Sequence, residues 1–419
     1  MNKYTEELID FLDESPSCYH AVANIEKKLR GYVKLNEKDK WYLEPGGSYY
    51  VVRNDSSIIA FKIPGGKCKS LRIAASHSDS PTFKIKINPE ISDENYIKIN
   101  TEKYGGMIMY SWFDRPLSVA GRVIYSAGDS VKSKIISVDR DLLLIPSVAI
   151  HMNRDMNDNL KLDPQVDMLP LFGSGNAKNQ FMNVIASEAG IEEERILSSD
   201  LFLYPRQSAS IWGESNEFIS AGALDDLQCV YATMKGFINS KNSADTLRVC
   251  CVFNNEEVGS LTRQGADSDF LYTTLKRINL ALGYDEETLY RIAANGLLLS
   301  ADNAHAVHPN HPEYADPTNK PYINKGIVIK RNSSEKYTTD GFSEGMLRKL
   351  CIENNIPIQS FLKRLNIAGG STLGNLLMRH ISIPAVDIGL PQLAMHSAYE
   401  TAGVRDTEYL VKLSCAFFA

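Results

Sequence analysis

The run Leu247-Arg248-Val249-Cys250-Cys251-Val252-Phe253 is followed at once by Asn254-Asn255-Glu256-Glu257. Only Arg248 interrupts the apolar part. Seven residues of that kind read as a strand buried on both faces, as in a sheet covered by helices. Two adjacent carboxylates at its end are costly, because like charges disfavour each other's ionisation. A nearby cation removes the cost. Adjacent side chains point in different directions, so one carboxylate can ligate a metal while the other faces a water.

Working outward, other strands and helices alternate in the same way. Residues 49–52, 58–63 and 71–75 are short apolar strands, with the turn Pro64-Gly65-Gly66 between the last two. Leu227, Val230, Tyr231, Met234 and Phe237 share one helical face. Residues 275–282 and 373–378 read as helices, and residues 385–388 as a strand. At the start of the chain, Ser15-Pro16 is read as a helix cap followed by Pro at the first helical position, with His20, Val22, Ile25 and Leu29 at helical spacing.

Between these ends the texture differs. Residues 96–99, 107–112, 120–124 and 142–145 look like short strands, and residues 151–180 like a long polar loop. The expected fold is α/β: a three-layer catalytic domain with a mixed sheet, formed by residues 1–84 and 222–419, interrupted by a β-rich domain at 85–221. A chain of 419 residues exceeds what one core usually holds, in line with two domains.

Composition narrows the class. The net charge of -6 disfavours a nucleic-acid partner. The seven cysteines form no CxxC pair and read as reduced, buried thiols. Glu6, Glu7 and Asp10 rule out a signal peptide near the start, and no run approaches a membrane span, so the cytoplasm is the expected location.

Four further places carry chemistry. His77-Ser78-Asp79 follows a strand, and in His-x-Asp both side chains can point the same way, His77 toward a metal and Asp79 orienting it. Asp225-Asp226 opens a helix. Asp302 follows an apolar run and leads into His305, His308 and His311. His396 lies in Met395-His396-Ser397-Ala398-Tyr399-Glu400. A set of His and several carboxylates from separate strand ends suits zinc, cobalt or manganese, and holds too many carboxylates for a single tetrahedral ion. A bridged pair of metals accounts for the count.

The order His77-x-Asp79, Asp225, Glu256-Glu257, Asp302, His396 resembles the dinuclear metallopeptidases, and within them the aspartyl aminopeptidase or vacuolar aminopeptidase I family. Ser15-Pro16-Ser17 with His20, Phe113-Asp114-Arg115, Ala120-Gly121-Arg122-Val123, His151-Met152-Asn153-Arg154 and Gly370-Ser371-Thr372 extend the likeness over nearly the whole chain. The resemblance implies a cytoplasmic zinc aminopeptidase holding two zinc ions, with Co2+ or Mn2+ as substitutes. Asp225 would bridge; His77 and Asp302 would complete one site, Glu257 and His396 the other. Glu256 would be the general base and Asp79 would orient His77. His151 would reach a neighbouring subunit's site, and His305 would lie near the substrate carbonyl. Lys330, with Lys325 and Arg331, is a candidate for selecting the first side chain.

The inserted domain resembles the family's dimerisation domain, which implies homodimers and a tetrahedral dodecamer. The partners expected are peptides and further copies of the chain, with no nucleic acid and no membrane. Two departures stand out: Asp226 occupies a position that is commonly Asn, and Pro116 follows Asp114-Arg115 where a polar residue is expected. Other readings are an N-acyl amino-acid deacylase or carboxypeptidase with the same ligands, and a non-catalytic scaffold.

Overall fold

The computed structural model describes residues 3–366 and 370–419. A nine-stranded mixed sheet forms its centre. Four strands in the middle are parallel neighbours: Thr246–Phe253, Ser70–His77, Leu297–Ala301 and Ala385–Gly389. Antiparallel pairing flanks them, with Ser57–Lys62 on one side and Ile327–Arg331 on the other. The run Thr246–Phe253 is buried almost end to end, as its apolar sequence requires.

Helices cover both faces. Lys3–Asp13, Cys18–Lys28, Leu224–Asn239, Gly341–Glu353 and Val404–Phe417 bury Leu8, Phe11, Val230, Phe237, Leu347 and Leu410 against Cys250 and Val252. Phe270–Ala281, Glu286–Ala294 and Leu373–Met378 bury Phe270, Leu275, Leu289 and Leu377 against Val249 and Cys251. Alternate residues of one strand thus serve the two layers.

A six-stranded antiparallel sheet runs in the order Ser130–Ser137, Leu117–Ala127, Ile196–Pro205, Thr82–Ser92, Tyr96–Tyr104, Leu171–Ser174. It has its own core around Phe83, Trp112, Val119 and Phe181, the last from the helix Phe181–Ala189. A third, five-stranded sheet joins Ser210–Trp212 and Phe218–Ala221 to Glu400–Gly403, Pro391–Leu393 and Ala304–His305.

Some local expectations change. Ser15 does not cap the second helix. The N-cap is Ser17, whose Oγ lies 2.8 Å from His20 Nδ1 instead of closing on the backbone, and Pro16 precedes it. Residues 107–112 are not a strand: Met109–Trp112 is a 3-10 turn that buries Trp112. All seven cysteines are free, and all but the half-buried Cys415 are buried. Among the described residues, no helix is long and apolar enough to cross a membrane.

The motif at 120–123 ties the two large sheets together. Gly121 sits opposite Leu201, and a Cβ there would meet the Asp200 carbonyl at 2.0 Å, so only glycine lets the strands close. Arg122, buried, donates to Asp200 Oδ2 (3.1 Å), to the Asn54 carbonyl (2.9 Å) and to Asp55 Oδ2 (3.1 Å), and covers the Tyr19 ring at 4.6 Å. One guanidinium thereby holds the six-stranded sheet, a hairpin turn of the central sheet and the second helix.

Replacing Arg122 with Ala leaves Asp200 to Lys84 (3.0 Å) and empties the stack. The cost is set at about 3 kcal/mol, the low end for a broken buried pair, because Asp200 keeps Lys84 and Asp55 is half-buried. For a chain of this length, scanning calorimetry should then show a melting midpoint lower by roughly 3–4 °C, and a fall under ~1 °C would remove Arg122 as the main tie.

Candidate metal centre

All the acidic and imidazole groups singled out as metal ligands emerge at one edge of the central sheet. That edge is formed by the carboxyl ends of the four parallel strands, where sheets of this kind bind ligands. His77 ends Ser70–His77, and Asp302 follows Leu297–Ala301. Glu256 and Glu257 form a single 3-10 turn after Thr246–Phe253. His396 follows the short strand Pro391–Leu393. Asp225 and Asp226 reach in from the start of Leu224–Asn239, where their non-helical φ/ψ and a cis peptide bond between them precede the regular helix. A Cβ on Gly389 would strike the Asp302 carbonyl at 2.1 Å, so glycine lets the last parallel strand pass beside Asp302.

Three groups of ligand atoms lie within 4.8 Å of one another: His77, Asp225, Asp226 and Asp302; His77, Glu256 and Glu257; Asp225, Glu257 and His396. Asp225 is shared by the first and the third. Every sequence-selected ligand is in one of these groups. Asp226 joins them, its Oδ2 accepting the His77 backbone N–H at 3.1 Å.

The two imidazoles are oriented in the same way. His77 Nδ1 donates to the Asp79 carbonyl at 3.0 Å, and His396 Nδ1 donates to the Gly106 carbonyl at 2.5 Å. A carbonyl only accepts, so each proton sits on Nδ1. In the neutral ring each Nε2 then presents a lone pair. His77 Nε2 faces Asp225 Oδ1 at 3.5 Å; His396 Nε2 faces Asp225 Oδ2 at 3.3 Å and Glu257 Oε2 at 3.4 Å. Lone pairs facing carboxylate oxygens need something positive between them.

The carboxylates say the same. Asp225 Oδ1, Asp226 Oδ1 and Glu257 Oε1 are buried without a hydrogen bond. Burial, then the neighbouring acids, push Glu256 up to about 7 and Glu257 well above the carboxylate range. Burial raises Asp302 and Asp226 as well. Burial opposes the Asp225 charge too, and only positive charge beside it, on His396 and His77 or on a cation standing between them, holds that carboxyl low. Two imidazoles cannot neutralise five carboxylates, whereas divalent cations can. The N/O donor set, the orphaned oxygens and the aimed Nε2 atoms fit zinc.

Beyond Asp79 as the partner of His77, the second layer was not assigned from the sequence. Asp79 accepts the backbone N–H groups of Glu256 (3.1 Å) and Glu257 (3.2 Å), so it fixes the acidic turn as well as His77. Asn255 adopts φ 64°, a left-handed conformation Asn tolerates, and its Oδ1 accepts from Thr262 and Gln264. Glu400, buried, takes the N–H of Asp225 (3.0 Å) and of His396 (2.6 Å), and burial beside Asp225 raises its pKa to about 8. A carboxylate four residues after His396 was visible in the sequence, but nothing there linked it to Asp225.

The remaining candidates lie apart from the ligand groups. Lys330 is 3% exposed, with Nζ 3.5 Å from Asp302 Oδ1 and 5.7 Å from the Tyr337 ring centre. Its ammonium compensates an acid of the cluster. His305 is exposed on its short strand, edge-on to Phe361 at 6.1 Å. His151 is exposed on a turn and is not gathered into the cluster. Lys325 is exposed, and Arg331 pairs with Glu344 at 3.3 Å. A cavity of about 170 Å³ is lined by Asp79, Pro81, Phe202, Arg206 and Ala223, and by none of the proposed ligands.

Comparison with known proteins points the same way. The family model described as Aminopeptidase I zinc metalloprotease (M18) matches residues 11–418. A probable M18 family aminopeptidase 2 of Clostridium acetobutylicum is 46% identical, covering 98% of this chain and 97% of its own. Among solved structures, Ape4 in its complex with Nbr1 superposes with a TM-score of 0.95 at 35% identity, over 99% of this chain and 85% of that one. The S. cerevisiae mApe1 dodecamer superposes with 0.87 at 27%, over 99% and 96%.

A ligand that binds only the folded state stabilises it by RT ln(1 + [L]/Kd), about 2.7 kcal/mol at a hundredfold excess over Kd. Zinc added to chelator-stripped protein should raise the melting midpoint, and Asp225→Asn should abolish most of that gain. An equal gain in the variant would remove Asp225 from the ligand set.

Proposed function

This chain belongs to the M18 family of zinc aminopeptidases, and from that premise we propose that it releases single residues from the free N-termini of peptides, with two zinc ions shared across Asp225. The observation that carries the reading is the sharing itself. Asp225 lies in one ligand group with His77 and Asp302 and in another with Glu257 and His396. One metal would be held by His77, Asp225 and Asp302, the other by Asp225, Glu257 and His396. Cobalt or manganese would serve in place of zinc.

Bound there, the ions supply Lewis acidity, which makes water more acidic and polarises a peptide carbonyl. Glu256 takes the proton from the attacking water and passes it to the leaving amine. Its place on the acidic turn beside Glu257 suits a group that meets water at the site. Asp79 holds His77 and the acidic turn in register. His305, on the rim, is assigned to the substrate carbonyl. Lys330 is assigned to the floor of the pocket for the first side chain, where its charge would favour an acidic residue over a neutral or hydrophobic one.

Self-association is proposed through the β-rich unit at residues 85–221, giving dimers and a tetrahedral dodecamer; mApe1 of S. cerevisiae, which shares the fold, is itself described as a dodecamer. The exposed position of His151 suits a residue that completes a neighbouring copy's site. A cytoplasmic location fits the reduced cysteines.

Hydrolysis of aminoacyl-peptides should disappear on chelation and return with zinc. N-acetylated peptides should resist, and their cleavage in place of the free ones would assign a deacylase. A first-residue panel separates acidic from hydrophobic preference; equal rates on Asp, Glu and Leu would remove Lys330 as a selector. Glu256→Gln should keep the metal content and lose roughly 10²–10⁴-fold in kcat, the usual worth of a general base. Near-wild-type turnover would reassign the base.

A further inference from the structure

The strand Tyr96–Tyr104 belongs to the six-stranded sheet, yet the residues at and after its end lie against the metal centre. Tyr104 Oη donates to Asp79 Oδ2 at 2.7 Å and accepts from Asn255 Nδ2 at 2.8 Å. Gly105, at φ 79°, lies so close that a Cβ would stand 3.1 Å from Glu257 Cβ and 3.4 Å from Pro81 Cβ. The Gly106 carbonyl holds His396 Nδ1, and the Ile108 N–H donates to the His396 carbonyl at 2.9 Å. Residues 104–108 therefore touch the turn after His77, the acidic turn and the His396 loop.

Within this strap, the side chain with the widest reach is Tyr104. Asp79 is the common acceptor for the Tyr104 hydroxyl and for the backbone N–H groups of Glu256 and Glu257, and it lies 3.5 Å from His77 Nδ1. Asn255, the other partner of the hydroxyl, is the left-handed residue that turns the chain into Glu256. A single hydroxyl thus bridges the group that orients His77 and the residue that shapes the acidic turn. The ring packs edge-on against Phe202 at 5.5 Å, independently of the hydroxyl.

We propose that Tyr104 is a positioning residue of the metal centre: acting through Asp79 and Asn255, its hydroxyl holds His77 and the Glu256-Glu257 turn in ligating register, and so couples the six-stranded sheet to metal affinity. This rests on the ligand assignment given above. Outer groups that orient ligands commonly contribute 10–100-fold in metal affinity or activity. Removing only the hydroxyl, with the ring contact on Phe202 kept, isolates that contribution.

The test uses full-length protein stripped of metal, with Tyr104→Phe, Asp79→Asn and the double variant. Cobalt is added, and both its affinity and its visible absorption spectrum are recorded. Tyr104→Phe is expected to bind cobalt about tenfold more weakly, with an altered spectrum and a lowered kcat at nearly unchanged KM. The double variant should bind no more weakly than Asp79→Asn, because both changes break the same chain of contacts. Unchanged affinity and spectrum in Tyr104→Phe would overturn the proposal. So would a fall in the melting temperature of the metal-free variant with no spectral change, which marks a purely structural role. Wild-type protein that takes up no cobalt would overturn the ligand assignment, and the proposal with it; wild-type uptake beside an unaltered variant overturns the proposal alone.

Discussion

Five carboxyl groups and two imidazoles meet at one edge of a sheet, mostly out of water. Left to themselves the acids repel, and burial compounds the cost. The surroundings answer this charge in several ways. Lys330 stands behind Asp302. Glu400 and Asp79 accept backbone N–H groups and fix the loops that carry the ligands. Both imidazoles are tied at Nδ1, so their Nε2 atoms point inward. Positive charge entering the cluster relieves that repulsion, so folding strength and metal loading are linked here.

The central sheet explains why these groups meet at all. Parallel strands bring their carboxyl ends to one side, where His77 closes one strand, Asp302 follows a second and the Glu256-Glu257 turn lies just beyond a third. Apolar strands buried on both faces leave polar groups nowhere else to emerge. The start of Leu224–Asn239 adds Asp225 from above the sheet, in reach of both imidazoles.

Much of this is legible in the sequence because two simple signals coincide. Runs such as 247–253 and 385–388 announce buried strands, and the charged residues directly after them announce the edge. Legibility fails where those signals separate. Ser130–Ser137 carries Lys132 and Lys134 on an exposed edge strand, so no apolar run marks it. Residues 107–112 are apolar enough for a strand, but they fold as a turn because Trp112 is drawn under Phe83, with ring centres 5.3 Å apart. The cap at Ser15 failed for a local reason: Ser17 stands one residue beyond Pro16 and takes the cap position, with His20 as its partner. Glu400 and Tyr104 were passed over because their importance lies in what they touch across 175 and 25 residues of sequence. Pattern within one segment cannot reveal such pairs.

The two ligand groups that share Asp225 do not depend on the same parts of the chain. His77, Asp302 and Lys330 are held mainly by the central sheet, whose strands pair continuously from Thr246–Phe253 to Ile327–Arg331. Glu257 and His396 sit in loops, and those loops lean on residues 104–108 of the other large sheet. A small shift between the sheets would disturb the second group before the first. Arg122 opposes that shift from the far side of the same sheet, through Asn54 and Asp55. The next residue, Ser56, accepts the Ser78 hydroxyl at its carbonyl (2.8 Å), which closes a path back to His77 and Asp79. The inserted sheet is therefore tied to the centre through Arg122 as well as through residues 104–108, and the loop-borne half of the site lies beside the latter. Any association that loads the inserted sheet would be felt first at Glu257 and His396.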